Sequence, residues 1–219
     1  MKTCLTLFFL VAMCPVAWDQ EPAGVSADAA LARLMAGNQR YVRHREQHPD
    51  ESLARRKELE AAQHPFAVIL GCADSRVPPE LLFDQGLGDL FVIRVAGNIV
   101  DDAILASVEY AVEHTGARLI MVLGHEKCGA VTAAIAGGVP PGHLKALVDA
   151  IRPSVEATRN EPGDKIHNCV VANVRRVAGQ IRTSEPVLKE YVEKKGVKVV
   201  AADYALDSGR VNLLDAAGH

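Results

Sequence analysis

Four short apolar runs, separated by segments with a helical period, most constrain the fold of this chain. They are FAVIL (66–70), LFVIRV (90–95), LIMVLG (119–124) and VKVVAAD (197–203). Continuous apolar letters of this length are typical of strands that are buried on both faces, as in parallel sheets. The helical patterns between the runs indicate crossover connections. The sequence therefore predicts an α/β fold, in which a central, mostly parallel β-sheet is flanked by α-helices.

Helices are expected in five segments of the chain. One follows Ser26, one covers 102–114, a short one ends at Gly137 and Gly138, and two more cover about 142–158 and 165–182. A last short run, RVNLL (210–214), follows the fourth apolar run after a turn. We expect it to extend the sheet with an antiparallel strand.

The first residues differ in character from the rest of the chain. Lys2 precedes an apolar run over residues 5–17, and polar residues return from Asp19 onward. This arrangement is typical of a secretory signal peptide, and the run is shorter than the roughly 20 residues that cross a bilayer. We expect residues 1–27 to form a leader, cleaved between 17 and 27, and the protein to be exported to the periplasm. The alternative is a buried or disordered N-terminal extension.

Composition favours a single domain for residues 28–219. A chain of 219 residues with 49% hydrophobic letters is long enough for one core. The formal net charge is −3, so the chain has no excess of positive charge. A nucleic-acid partner is excluded on this ground, because phosphate binding needs clustered Lys and Arg. Nothing supports membrane binding after the leader is removed.

Cysteine and histidine positions point to a metal site. Cys72 lies just past the first apolar run, His125 lies just past the third, and Cys128 comes three residues after His125. Because the carboxyl ends of parallel strands meet at one edge of a sheet, we expect these side chains to converge. Cys169 lies in the apolar pattern IHNCVVANV, so it is interpreted as a core residue.

Two thiolates and one imidazole provide three ligands, the number that a catalytic zinc commonly has when its fourth position is open to water. Two thiolates also cancel the charge of Zn²⁺, so they should acidify bound water less than three imidazoles would. We therefore expect activity to favour alkaline pH. On these residues alone, buried side chains without a metal remain an alternative.

Two motifs around these residues resemble the signatures of a known family. Cys72 lies in GCADSRVPPE, and His125 and Cys128 lie in GHEKCGAV. These motifs resemble C-x-D-S-R and H-x-x-C-G of the β-class carbonic anhydrases, and the similarity extends from ALARLMAGNQRYV to the last strand. The resemblance implies one Zn²⁺ per subunit, held by these three residues. It also implies reversible hydration of CO₂ to bicarbonate and a proton, by attack of a zinc-bound hydroxide.

The resemblance further implies roles for neighbouring residues. Asp74 and Arg76 would form a catalytic dyad beside the metal, in which Arg76 holds the Asp74 carboxylate. Four residues would line a mostly apolar pocket for CO₂ or bicarbonate: Gln63, Phe91, Ala96 and Tyr110. Family members are dimers or larger, so we expect a homodimer or a homotetramer.

Three rival functions remain open at this point. A carbonyl sulfide or carbon disulfide hydrolase would use the same metal site on a different substrate. A structural zinc domain would explain the ligands but not an Asp-Arg pair beside them. A thiol redox protein is disfavoured, because Cys72 and Cys128 do not form a C-x-x-C pair.

Overall fold

The computed structural model describes residues 24–214. Its helices are α1 (Ala27–Val42), α2 (Leu53–Glu58), α3 (Pro79–Leu82), α4 (Asp102–His114), α5 (Gly129–Ala136), α6 (Leu144–Ala157), α7 (Lys165–Thr183) and α8 (Val187–Lys194). Its strands are β1 (Ala67–Gly71), β2 (Leu90–Arg94), β3 (Leu119–His125), β4 (Lys198–Tyr204) and β5 (Val211–Leu214), and a short 3₁₀ segment covers Ala96–Asn98. Residues 1–23 of the predicted leader lie outside the described residues.

The strands form one sheet in the order β2-β1-β3-β4-β5. Strands β1 to β4 run parallel, and β5 pairs with β4 in the antiparallel sense. Strands β1 and β3 lie inside the sheet, and all of their residues are buried. Burial on both faces is the physical reason for their continuous apolar letters. The predicted α/β fold, including the antiparallel last strand, is confirmed.

Helix α7 packs across β3 and β4 and covers one face of the sheet. A Cβ atom on Gly124 would lie only 2.4 Å from Cγ2 of Val174 in this helix. Glycine at this position therefore permits the close approach of α7 to the carboxyl end of β3. The core around this contact includes Ile120 and Met121, which are fully buried. Burial of an aliphatic side chain of this size contributes about 1.5–3 kcal/mol.

Local signals explain where two of the predicted helices begin. The Ser26 hydroxyl accepts a hydrogen bond from the amide of Ala29, which caps α1. The Asp101 carboxylate likewise accepts one from the amide of Ile104 and caps α4. Helix α4 has the predicted bounds, and Gly116 follows its end with φ +78°.

Three short helices were not predicted from the sequence. Helix α3 has four residues, α2 has no buried residue, and α8 buries only Leu188. So few buried positions leave no 3.6-residue period to detect. The strand bounds also differ slightly from the apolar runs, and His125 is the last residue of β3 rather than the first residue after it. The sheet itself therefore fixes this side chain.

Candidate metal centre

Three side chains converge at the carboxyl edge of the sheet, as the sequence predicted. Cys72 follows the end of β1, His125 ends β3, and Cys128 is the residue before the first turn of α5. One ligand atom from each lies within 4.8 Å of the other two, and all three residues are buried. The register explains this proximity, because Gly71 and Leu123 are paired in adjacent parallel strands.

The two ring nitrogens of His125 have different environments. Nδ1 donates a hydrogen bond to the backbone oxygen of Glu126 at 2.8 Å, which leaves the lone pair on Nε2. Nε2 is buried and has no hydrogen-bond partner in the part of the chain that the structure describes. An unpaired buried nitrogen beside two sulfurs fits a soft divalent cation such as Zn²⁺.

The two sulfurs shift each other's pKa in opposite directions. Hydrogen bonding from Cys128 lowers the pKa of Cys72 to about 4 against the opposing effect of burial, and His125 and the Gly97 amide assist. The same pairing, together with burial, raises the pKa of Cys128. Burial disfavours a charged His125, but the adjacent Cys72 sulfur more than offsets it and raises the pKa of the ring. A divalent cation would replace these protons.

The Asp74–Arg76 pair lies beside the cluster. Arg76 donates from Nε to Oδ1 of Asp74 at 2.9 Å and from Nη2 to Oδ2 at 2.7 Å. This arginine holds the pKa of Asp74 well below its usual range, against a smaller opposing effect of burial. Oδ2 of Asp74 lies 3.9 Å from Nε2 of His125. The structure therefore brings the predicted dyad beside the three candidate metal ligands.

Arg94 supports the loop that follows β1, a role that was not predicted from the sequence. Its Nε donates to the backbone oxygen of Cys72 at 2.9 Å, and its Nη2 donates to the backbone oxygen of Asp74 at 2.6 Å. These bonds fix the backbone that carries one ligand and one member of the dyad. The signal available in the sequence was a charged residue at the end of an apolar run, which is unusual for a buried strand.

The predicted pocket residues fall into two groups: Phe91 and Ala96 are half-buried, and Gln63 and Tyr110 are exposed. Ala96 begins the 3₁₀ segment, whose Gly97 contacts the Cys72 sulfur. Phe91 and Tyr110 form a tilted ring pair with centroids 6.1 Å apart. Tyr110 and Gln63 are exposed in the single chain. Their assignment to a substrate pocket stays a prediction.

Comparison with known proteins decides the family. A family model described as carbonic anhydrase matches residues 67–211, which is more than half of the chain. The crystal structure of a β-carbonic anhydrase from Aspergillus fumigatus has a TM-score of 0.71 and 28% identity, with coverage of 88% of this chain and 92% of that chain. The chain belongs to the β-carbonic anhydrase family. Members of this family hydrate CO₂ reversibly, so the predicted enzyme class and reaction are confirmed.

Bacterial carbonic anhydrases are also similar to this one. Carbonic anhydrase 2 of Mycobacterium tuberculosis is 41% identical over 195 residues, which cover 87% of this chain and 94% of that protein. The carbonic anhydrase of Mycolicibacterium smegmatis is 39% identical and covers 84% of this chain and 92% of its own length. Between residues 24 and 214, no helix of this carbonic anhydrase is both long and apolar enough to cross a membrane.

Proposed function

We propose that this carbonic anhydrase holds one Zn²⁺ per subunit through Cys72, His125 and Cys128, and that Asp74 and Arg76 act beside it in the hydration of CO₂. The observation that carries the proposal is the buried Cys-His-Cys set with an unpartnered Nε2 on His125. Two thiolates and an imidazole are a donor set that suits zinc better than the hard cations Mg²⁺ or Ca²⁺. When bound, the ion supplies a Lewis acid that lowers the pKa of water.

Arg76 prepares Asp74 to act as a hydrogen-bond acceptor. The bidentate pair fixes the carboxylate plane, and the lowered pKa keeps Asp74 ionised at physiological pH. The backbone amide of Arg76 also donates to Oδ1 at 3.0 Å, which leaves Oδ2 with the freer lone pairs. Oδ2 is the oxygen nearest to His125. It can therefore accept a hydrogen bond from the reacting water and orient that water toward CO₂.

The substrate pocket requires apolar walls, because CO₂ is small and uncharged. Phe91, Ala96 and Tyr110 provide apolar surface, and Gln63 provides an amide that can bind bicarbonate. Subunit association completes the pocket, since Gln63 and Tyr110 are exposed in the isolated chain. A homodimer or homotetramer would cover these side chains and exclude water from the site.

Stopped-flow measurement of CO₂ hydration, with metal analysis of the same sample, tests this proposal. We expect about one zinc per subunit, and loss of both zinc and activity after dialysis against a chelator. Parallel assays with carbonyl sulfide and carbon disulfide distinguish the rival hydrolases. Hydration of either sulfur compound at a higher kcat/KM than CO₂, or full activity without zinc, would contradict the proposal.

Subunit association is tested by sedimentation equilibrium. Tyr110→Glu replaces the exposed ring of Tyr110 with a charge, so we expect it to lower the average mass and the hydration rate. Val139→Glu is a matched control, because Val139 is 82% exposed in the loop after α5. A wild-type enzyme that is active as a monomer would contradict this part of the proposal.

Export through a cleaved leader belongs to the same proposal. Ser26 caps α1, and Ala27 is buried, so a cut after Ala27 would remove both. Cleavage nearer to residue 17 would keep the helix start intact, and we place the cut before Ser26. N-terminal sequencing of the protein from a periplasmic fraction checks the position. Retention of the apolar run 5–17 in mature protein would contradict it, and deletion of residues 2–17 should keep the enzyme in the cytoplasm.

A further inference from the structure

A buried polar cluster joins α6, α7 and the 3₁₀ segment behind the metal ligands. Asn173 and Ser154 are each 1% exposed. Oδ1 of Asn173 accepts hydrogen bonds from Arg176 at 3.1 Å and from the Ser154 hydroxyl at 3.4 Å. Nδ2 of Asn173 donates to the backbone oxygen of Gly97 at 2.9 Å. Polar groups in a core are costly unless they are paired, and these pairs all converge on one amide.

Gly97 connects this cluster to a metal ligand. Its backbone amide donates a hydrogen bond to the sulfur of Cys72 at 3.3 Å, while its carbonyl oxygen accepts from Asn173. The two bonds lie on the two peptide planes that flank Gly97. Asn173 therefore restrains the orientation of the amide that reaches Cys72, although it does not contact the sulfur itself.

The conformation of Gly97 explains why such an anchor is needed. Gly97 has φ +74°, and a Cβ atom there would lie 2.7 Å from Cδ1 of Ile151 and 3.1 Å from Cβ of Ala130. Only glycine fits, and glycine has the greatest backbone freedom of all residues. A hydrogen bond from a rigid helix compensates for that freedom. Asn173 lies in the interior of the 19-residue helix α7, which provides this rigidity.

We propose that Asn173 is a positioning residue of the metal centre, which holds the Gly97 amide on the Cys72 sulfur and thereby limits the charge that this sulfur donates to the metal. Arg176 and Ser154 occupy Oδ1 of Asn173, so the amide group of Asn173 is oriented with its N–H toward Gly97. The inference rests on the proposed metal site. It extends that site to a residue far away in sequence, which no ligand motif includes.

The test uses the cobalt-substituted enzyme and the variant Asn173→Asp. Aspartate keeps acceptors for Arg176 and Ser154, but it cannot donate to Gly97 when ionised, so the bond to Cys72 should weaken. Without that bond the sulfur is richer in electrons, and the sulfur-to-cobalt charge-transfer band should move to longer wavelength. Competition with a chelator should show that zinc affinity is lowered by about 10-fold to 100-fold, as for other residues that support a metal ligand.

Ser154→Ala is the matched control. It removes the hydroxyl that donates to Oδ1 of Asn173 and accepts from Nε of Arg176. Arg176 still donates to Oδ1 from Nη2, so the amide keeps its orientation and its bond to Gly97. The variant should therefore lower the melting temperature without moving the band. Asn173→Ser, whose side chain is too short to reach Gly97, repeats the test if the aspartate variant does not fold. An unchanged band and affinity in the Asn173 variants, or an equal change in Ser154→Ala, would overturn the inference. A wild-type enzyme that binds neither metal would instead contradict the proposed function.

Discussion

Arg76 holds Asp74 by two hydrogen bonds, from Nε to Oδ1 at 2.9 Å and from Nη2 to Oδ2 at 2.7 Å. Both residues lie in the loop after β1, and Arg94 ties the backbone of that loop to the end of β2. The carboxylate is therefore fixed in position and stays ionised. A water molecule that approaches the metal ligands meets an acceptor whose direction is already set.

Loss of the dyad should lower the rate without loss of metal. We expect Arg76→Met and Asp74→Asn each to reduce kcat/KM for CO₂ by about 100-fold, because the acceptor is then misplaced or weakened. Zinc content should remain near one per subunit. Arg152→Met is the control, since Arg152 forms an exposed pair with Asp149 on α6. A dyad variant with wild-type kcat/KM would show that the pair serves another purpose.

Loss of a sulfur ligand should remove the metal. We expect Cys72→Ser and Cys128→Ser to contain much less than stoichiometric zinc and to lose at least about 100-fold in rate, because serine is a poor ligand for zinc. Cys169→Ala provides the comparison, as this buried thiol lies outside the cluster. Metal analysis and stopped-flow assays measure both effects. A Cys72→Ser enzyme that hydrates CO₂ as fast as the wild type would disprove the ligand assignment.

The pH dependence should favour alkaline conditions. Cys72 and Cys128 would cancel the charge of the ion, so water beside it loses a proton less readily than at a site with neutral ligands. Asp74 does not titrate in this range, because Arg76 lowers its pKa and the group is ionised at all higher pH values. The hydration rate should therefore rise between about pH 6 and about pH 9. A flat profile over that range argues against this electrostatic reasoning.

The Arg40–Asp84 pair should stabilise the fold. Asp84 is 4% exposed, and it accepts hydrogen bonds from Arg40 Nε and from the amides of Gln47 and His48. We expect Asp84→Asn to lower the free energy of unfolding by about 3 kcal/mol at neutral pH, because it leaves Arg40 partly buried without its counter-ion. Asp149→Asn, in an exposed pair, should leave the melting temperature unchanged.

The pH dependence of this loss follows from the pKa of Asp84. Burial alone would raise that pKa, but the bonds from Arg40, Gln47 and His48 together lower it. A lowered pKa in the folded state stabilises the fold above the unfolded-state pKa, and the contribution disappears as the pH falls through the folded-state value. Denaturant unfolding should therefore show that the difference in free energy of unfolding between the wild type and Asp84→Asn narrows below about pH 4. A constant difference would mean that the loss does not depend on the charge of Asp84.

Much of the fold was predictable, because buried positions are occupied by apolar residues and the pattern of burial is therefore visible in the sequence. The runs that became β1 and β3 are apolar at nearly every position, since both faces of these strands are covered. Helix α4 was predicted at its observed bounds, because the glycine that follows its end is a local signal. Helix α8 was missed, since Leu188 is its only buried residue and a single position has no period.

The convergence of the candidate metal ligands was predictable for a related reason. Cys72 and His125 each mark the end of a buried run, and parallel strands place such ends at one edge. The sequence by itself therefore determined the sheet, the Cys72, His125 and Cys128 set and the Asp74–Arg76 motif, because each is expressed by residue type and short spacing. These are properties that a chain has before it folds.

Only the tertiary structure decided how the ligands are supported. Arg94 donates to backbone oxygens of the loop that carries Cys72, and Asn173 reaches Gly97 from α7. Neither contact has a local signal, because the partners are backbone atoms, which every residue possesses, and because the residues are distant in sequence. Hydrogen bonds of this kind depend on how the helices pack on the sheet, and packing is a property of the whole chain.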